Sequence, residues 1–163
     1  MRKGLFLDRD GVINRERGAH TVRLGDFEIL PDVPQAIAEA NTAGWTVVVI
    51  TNQSGIDLGM YDHAELDRMH RYLHDMLQDH GAHVADVLYC PHHPSKGKCL
   101  CRKPGSLLLE RGLARHDLKA STSIMIGDRD RDMEAAAASG IRGILVPPNA
   151  SLFNTLRDHV LRP

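Results

Sequence analysis

Apolar residues recur along this chain in two alternating rhythms. Short unbroken runs at Lys3–Leu7, Trp45–Ile50, Asp86–Tyr89 and Ser123–Ile126, with a fifth at Gly143–Val146, have the length of strands covered on both faces. The segments between them repeat with helical spacing. Val33–Ala43 starts after Pro31 and stops at Gly44, while His63–His80 places Leu66, Met69, Leu73, Met76 and Leu77 three and four apart before Gly81. Ser106–Arg115 and the alanine-rich Arg131–Ser139, closed by Gly140, complete the set. Strand and helix alternating through short connections predict an α/β fold, a doubly wound, mainly parallel sheet with helices on both faces, as a single domain over residues 1–163.

Composition narrows the class. The 163 residues carry 20 basic and 21 acidic side chains, a formal net charge of −1, spread evenly along the chain. No basic stripe points to nucleic acid, and neither a spanning run nor a leader pattern at Met1-Arg2-Lys3-Gly4 points to a membrane. The expectation is a cytoplasmic monomer whose partner is a small molecule.

Polar clusters follow the apolar runs. Asp8-Arg-Asp10-Gly-Val-Ile-Asn14 follows the first, Thr51-Asn52-Gln53-Ser54-Gly55 the second, and Gly127-Asp128-Arg129-Asp130-Arg131-Asp132 the fourth, while Arg102-Lys103-Pro104 opens a helix. In open α/β sheets ligands bind beyond the carboxyl ends of strands, so these groups fall on one rim. Acidic turns with glycine are common, and Asp8-x-Asp10-Gly11 alone is weak evidence. With the other three clusters it becomes a phosphoryl-transfer site. Asp8 serves as nucleophile, and Asp10 protonates the leaving oxygen and then activates the water that clears an aspartyl-phosphate. Asp8 and Asp128, with a backbone carbonyl near Asp10, would hold Mg²⁺. Thr51 offers hydrogen bonds to phosphoryl oxygens and Lys103 a positive charge. Of Asp128, Asp130 and Asp132, at least one should be a carboxylate favoured by a helix N-terminus, Asp130 first.

These four clusters resemble the motifs of the haloacid dehalogenase (HAD) superfamily of phosphatases, and the resemblance covers essentially the whole chain. Phe6–Gly11, Thr51–Ile56, Cys90-Pro91-His92, Cys99–Pro104 and Ile126–Asp128 look like the subgroup that holds the D,D-heptose 1,7-bisphosphate and histidinol-phosphate phosphatases. The resemblance implies Mg²⁺-dependent hydrolysis of a phosphate monoester. It also implies that Thr51 and Lys103 stabilise the phosphoryl group, that Arg102 recognises the substrate, and that Asn14, Asn52, Gln53 and Ser54 lie in substrate-binding segments. By position, Glu16, Arg17 and Gly18 fall in a substrate-contacting loop, although these side chains do not closely match the heptose enzymes.

All three cysteines lie between Cys90 and Cys101. Cys90-x-His92-x₆-Cys99-x-Cys101 supplies three thiolates and one imidazole, a closed tetrahedral set for structural Zn²⁺, with His93 as an alternative to His92. Ligation would fix the backbone that aims Arg102 and Lys103. His70 and His74, four apart on the long helix, read as part of a polar face.

Neither the interval from Asp10 to Thr51 nor that from Thr51 to Lys103 has room for a cap domain, so an open pocket shaped by loops is expected. Asp10–Asn14 and Ser54–Ile56 look like the heptose enzymes. The short cysteine loop, Pro104-Gly105-Ser106-Leu107 and Arg129 look like the histidinol-phosphate enzymes. The heptose reading is preferred. A non-catalytic phosphate binder has no need of a nucleophile paired with an acid, and a DNA 3′-phosphatase is disfavoured by the neutral charge.

Overall fold

Strand β1 (Lys3–Leu7) is the centre of a five-stranded parallel sheet ordered β3-β2-β1-β4-β5, in a computed structural model that describes residues 2–162. Its neighbours are β2 (Trp45–Asn52) and β4 (Ile124–Gly127), with β3 (Asp86–Cys90) and β5 (Arg142–Leu145) outside them. The register sets Leu5 between Val47 and Ile124, and Leu7 between Val49 and Ile126.

Side chains alternate across the pleat, so each run feeds two cores. Leu5, Leu7, Val47, Val49, Ile124 and Ile126 pack under α1 (Val33–Thr42), α2 (His63–Asp79) and α5 (Leu152–His159). Phe6, Val48, Ile50 and Met125 face α3 (Leu107–Arg115) and α4 (Asp130–Ala138). The unbroken apolar runs of the sequence are the consequence of this double coverage.

Element bounds shift by a residue or two from those predicted; β2 continues through Thr51 and Asn52. Helix α5 is not among the predicted elements, although Ser151 caps it by accepting the Asn154 amide at 3.0 Å. Only Leu152, Thr155 and Leu156 of its eight residues are buried, and its placement depends on a distant partner. Asp32, at the start of α1, accepts hydrogen bonds from the Ser151 hydroxyl and the Phe153 amide (3.1 Å), which ties the two helices together. Asp62 caps α2 by accepting the Glu65 amide at 2.8 Å.

The chain runs outward from β1 to β3, then crosses over to β4. The strand order therefore reverses between β1 and β4, and a crevice opens beyond their carboxyl ends. Asp8 leaves one side of it and Asp128 the other. Two glycines permit this closeness: a Cβ on Gly11, whose φ is 88°, would strike the Asp128 carboxylate, and one on Gly127 would strike Asp132. Among the described residues, no helix is long and apolar enough to cross a membrane.

Candidate active site

Asp8 stands at the end of β1 with little exposure and a crowded charge environment. Its Oδ1 accepts the Arg9 amide at 2.9 Å and the Lys103 ammonium at 2.8 Å. Lys103 is 1% exposed and donates also to the Ile50 carbonyl (2.8 Å), with Asp132 2.7 Å away. The side chain of Asn52 grips the Lys103 backbone in both directions, its Oδ1 accepting the amide at 3.0 Å and its Nδ2 donating to the carbonyl at 3.1 Å. One ammonium thus serves two buried carboxylates, and both hold its pKa up against burial, which favours the neutral amine.

A third carboxylate makes the charge balance negative. Ligand atoms of Asp8, Asp128 and Asp132 lie within 4.8 Å of one another, and both carboxylate oxygens of Asp128 are buried without a hydrogen-bond donor. Burial pushes Asp8 up to about 8; the charges of Asp132 and Asp10 add to this, and Lys103 only partly offsets it. Burial raises Asp128 as well. Acceptor-only oxygens packed together with a single ammonium fit a hard divalent cation.

Asp10 faces elsewhere. Its Oδ1 accepts from Arg9 Nη2 (2.8 Å) and Asn14 Nδ2 (2.9 Å), and its Oδ2 from Gln53 Nε2 (2.9 Å). Burial alone would raise its pKa, but the Arg9 charge and these three donors outweigh it and hold the carboxyl below its ordinary value. Gln53 also donates to the Thr51 hydroxyl at 2.9 Å and accepts from Tyr61 at 2.5 Å. Asp10 and Thr51 are therefore linked through one amide. The carboxylate of Asp10 takes no part in the Asp8–Asp128–Asp132 cluster, where the sequence had assigned it a backbone carbonyl.

Asp10, Glu16, Gly18, Asn52, Gln53, Ser54 and Arg102 line one cavity of about 410 Å³ at this rim. Two of the residues expected there do not. Asn14 is fully buried and braces Asp10, and Arg17 pairs with Asp26 at 3.4 Å, an oxygen it shares with Arg23 at 3.5 Å. Four cationic or titratable groups absent from the predicted set do line it: His20, His93, Arg129 and Arg131. Asp132 was also missed as a partner of Lys103. Its place four residues after Asp128, in the first turn of α4, was the available signal, and there its Oδ2 also accepts the Arg129 amide at 3.1 Å. Asp130 is exposed in the same turn.

The cysteine loop closes as its spacing predicts. Ligand atoms of Cys90, His92, Cys99 and Cys101 lie within 4.8 Å of one another, with Cys90 Sγ 3.0 Å from Cys101 Sγ and His92 Nδ1 3.3 Å from Cys101 Sγ. His93 is not in the set. Its ring accepts the Ser95 amide at 3.1 Å and its own amide donates to Asp57 at 2.8 Å. A larger hollow of about 750 Å³ lies behind this loop, beside Leu100, Pro104 and Leu107, and contains none of the three clustered carboxylates.

His70 departs from the polar face assigned to it. Its Nε2 lies 3.3 Å from Arg9 Nη1, and burial together with the Arg9 charge holds it down to about 3.

A parallel sheet with carboxylates facing each other across its switch point, a buried lysine paired with one of them and no inserted cap among the described residues defines a HAD-type hydrolase. Residues 100–158 match the HAD-hydrolase-like family model. The D-glycero-beta-D-manno-heptose-1,7-bisphosphate 7-phosphatase of Pseudomonas putida is 43% identical over 145 residues, 88% of this chain and 82% of that protein. The Pseudomonas aeruginosa enzyme of the same name is 41% identical over 87% of this chain and 79% of its own length. The crystal structure of the D,D-heptose 1,7-bisphosphate phosphatase from B. bronchiseptica, complexed with magnesium and phosphate, superposes with a TM-score of 0.85 at 37% identity, covering 98% of this chain and 88% of that one. A HAD-like protein from Mesorhizobium loti gives 0.82 at 32% identity, over 91% of this chain and 77% of its own. The chain belongs to the HAD-like hydrolases, in the family of these heptose-bisphosphate phosphatases, and is a phosphatase.

Proposed function

We propose that this chain, acting as one domain, removes the 7-phosphate of D-glycero-β-D-manno-heptose 1,7-bisphosphate. The observation that carries the mechanism is the divergence of two carboxylates one residue apart. Asp8 sits against an ammonium and two further carboxylates; Asp10 sits against three N–H donors on the cavity wall. Environments that separate neighbouring carboxylates assign their roles. An Asp8 oxygen attacks phosphorus and the bond to the C7 oxygen breaks. Asp10, whose pKa rises as the charged phosphoryl group arrives beside it, takes up a proton and delivers it to that leaving oxygen. As a carboxylate again, it takes a proton from the water that attacks the aspartyl-phosphate, releasing inorganic phosphate and restoring Asp8. Lys103 and Thr51 stabilise the phosphoryl charge.

Asp8 and Asp128, with the backbone carbonyl near Asp10, would hold Mg²⁺, and Asp132 holds Lys103 beside them. The ion supplies charge neutralisation at the phosphoryl oxygens and keeps Asp8 ionised. Cys90, His92, Cys99 and Cys101 would hold structural Zn²⁺, pinning the end of β3 to the segment that carries Arg102 and Lys103. Cys101→Ser is expected to release zinc and lower kcat/KM about tenfold or more, through misplacement of the two cations. Metal analysis of protein purified without chelator checks this; absence of zinc from the unaltered protein would contradict it. Reduced thiols in such a site accord with a cytoplasmic location.

The cavity charge favours the heptose substrate. Arg102, Arg129 and Arg131 line the wall against the two carboxylates Asp10 and Glu16, with Arg129 3.9 Å from Glu16, so fixed positive charge outnumbers negative there. A second phosphate is attracted to that wall, and the ammonium of histidinol phosphate is repelled by it. Phosphate release from the two substrates with Mg²⁺ should differ by about a hundredfold in kcat/KM, or about 2.7 kcal/mol. A preference for histidinol phosphate would overturn the assignment.

A further inference from the structure

Arg9 heads the fully buried side chains of the described residues by size, and it stands between the two carboxylates assigned to chemistry. Removing a guanidinium from water costs several kcal/mol, and an apolar side chain would fill the same space without that cost. Its contacts show what the charge accomplishes. Nη2 donates to Asp10 Oδ1 at 2.8 Å, Nη1 reaches His70 Nε2 at 3.3 Å, and the guanidinium lies 5.1 Å from the centre of the Phe27 ring. Nε has no partner. Arginine has no acceptor, so His70 must accept through Nε2 and carry its proton on Nδ1. The neutral imidazole that this requires agrees with its depressed pKa of about 3.

His70 comes from the middle of α2, whose buried residues Leu66, Met69, Leu73 and Leu77 anchor the helix in the core. A continuous set of contacts thus leads from α2 through His70 and Arg9 to Oδ1 of Asp10. Asn14 holds the same oxygen and Gln53 the other.

We propose that Arg9 and His70 are positioning residues, a couple of a buried arginine and a half-buried histidine in which the His70 imidazole presses the Arg9 guanidinium onto Asp10 and fixes the orientation from which Asp10 moves protons. This rests on the acid/base role given to Asp10. Neither residue reaches substrate, so the couple acts on the rate of chemistry and leaves substrate binding alone.

A double-mutant cycle tests it. His70→Leu keeps volume and removes the acceptor; kcat for the heptose bisphosphate should fall about tenfold, part of what a general acid/base contributes, with KM within about twofold. His70→Gln, which keeps an acceptor, should remain within about threefold of the unaltered enzyme. In the Asp10→Asn background His70→Leu should change residual turnover by less than about twofold, because its route to the reaction is already cut. His70→Ala carries the same comparison if the leucine variant does not fold. Full kcat in His70→Leu, an undiminished loss in the Asp10→Asn background, or glutamine no better than leucine would each overturn the couple. Full activity in Asp10→Asn alone would instead overturn the role of Asp10.

Discussion

Asp8→Asn is expected to lower turnover by about 10⁴-fold or more, because an amide cannot form the acyl-phosphate. The fold should survive it. Asparagine is nearly isosteric and can keep the Arg9 amide bond, and Asp132 remains to pair Lys103. In metal-free protein the variant should even gain stability over the original, and the gain should depend on pH. The Asp8 pKa of about 8 in the folded state lies above the ordinary aspartate value of 3.8, so the native protein holds the proton more tightly than the unfolded chain does. The stability that this proton contributes is fully present below pH 3.8 and is lost as pH rises to about 8. Asparagine does not titrate. Its advantage in chelator should therefore be absent near pH 4, grow between, and level off above pH 8. Thermal unfolding across that range, beside phosphate release, checks both halves. Retention of a tenth of the activity would contradict the covalent route.

The other large effect belongs to Lys103→Met. The ammonium is fully enclosed between Asp8 and Asp132, and removing it strands two buried carboxylates. Breaking one partner out of a buried ion pair costs about 3–5 kcal/mol. For a protein of this size that lowers Tm by roughly 10 °C, and turnover should fall by more than about a hundredfold with the loss of phosphoryl charge stabilisation. Adding Asp132→Leu should restore part of the stability and none of the activity, since an apolar pair satisfies burial but not the phosphoryl group. Unchanged Tm in Lys103→Met would show that Lys103 is not the counter-charge of these carboxylates.

Strand and helix rhythms made the sheet legible, because the three inner strands β1, β2 and β4 are buried on both faces and so read as continuous apolar runs, while the edge strands β3 and β5 are only partly covered. The short helix α5 was the least legible element: its local marks, the Ser151 cap and buried Leu152, Thr155 and Leu156, span barely two turns, and the Ser151–Asp32 bond that ties it to α1 joins residues far apart in sequence. At the site, the residues leaving strand ends were legible because the topology places every such end on one rim. The direction of each side chain beyond the rim was not. Asn14 and Arg17 belong to the same loop as Glu16 and Gly18, yet the first turns inward to Asp10 and the second to Asp26. Spacing alone cannot separate these from cavity-lining neighbours. His70 shows the same limit: a histidine on a long amphipathic helix reads as surface until Arg9, an arginine hidden between two aspartates, comes to meet it. The cysteine loop was the opposite case, where a dense local pattern of ligands leaves few other arrangements.

³¹P NMR of D-glycero-β-D-manno-heptose 1,7-bisphosphate during turnover with Mg²⁺ tests 7-phosphatase activity most directly. Loss of the C7 ester signal, release of one equivalent of inorganic phosphate, and a glycosyl phosphate at C1 that persists are expected. Release from C1, release from both positions at equal rates, or no Mg²⁺-dependent release would contradict it.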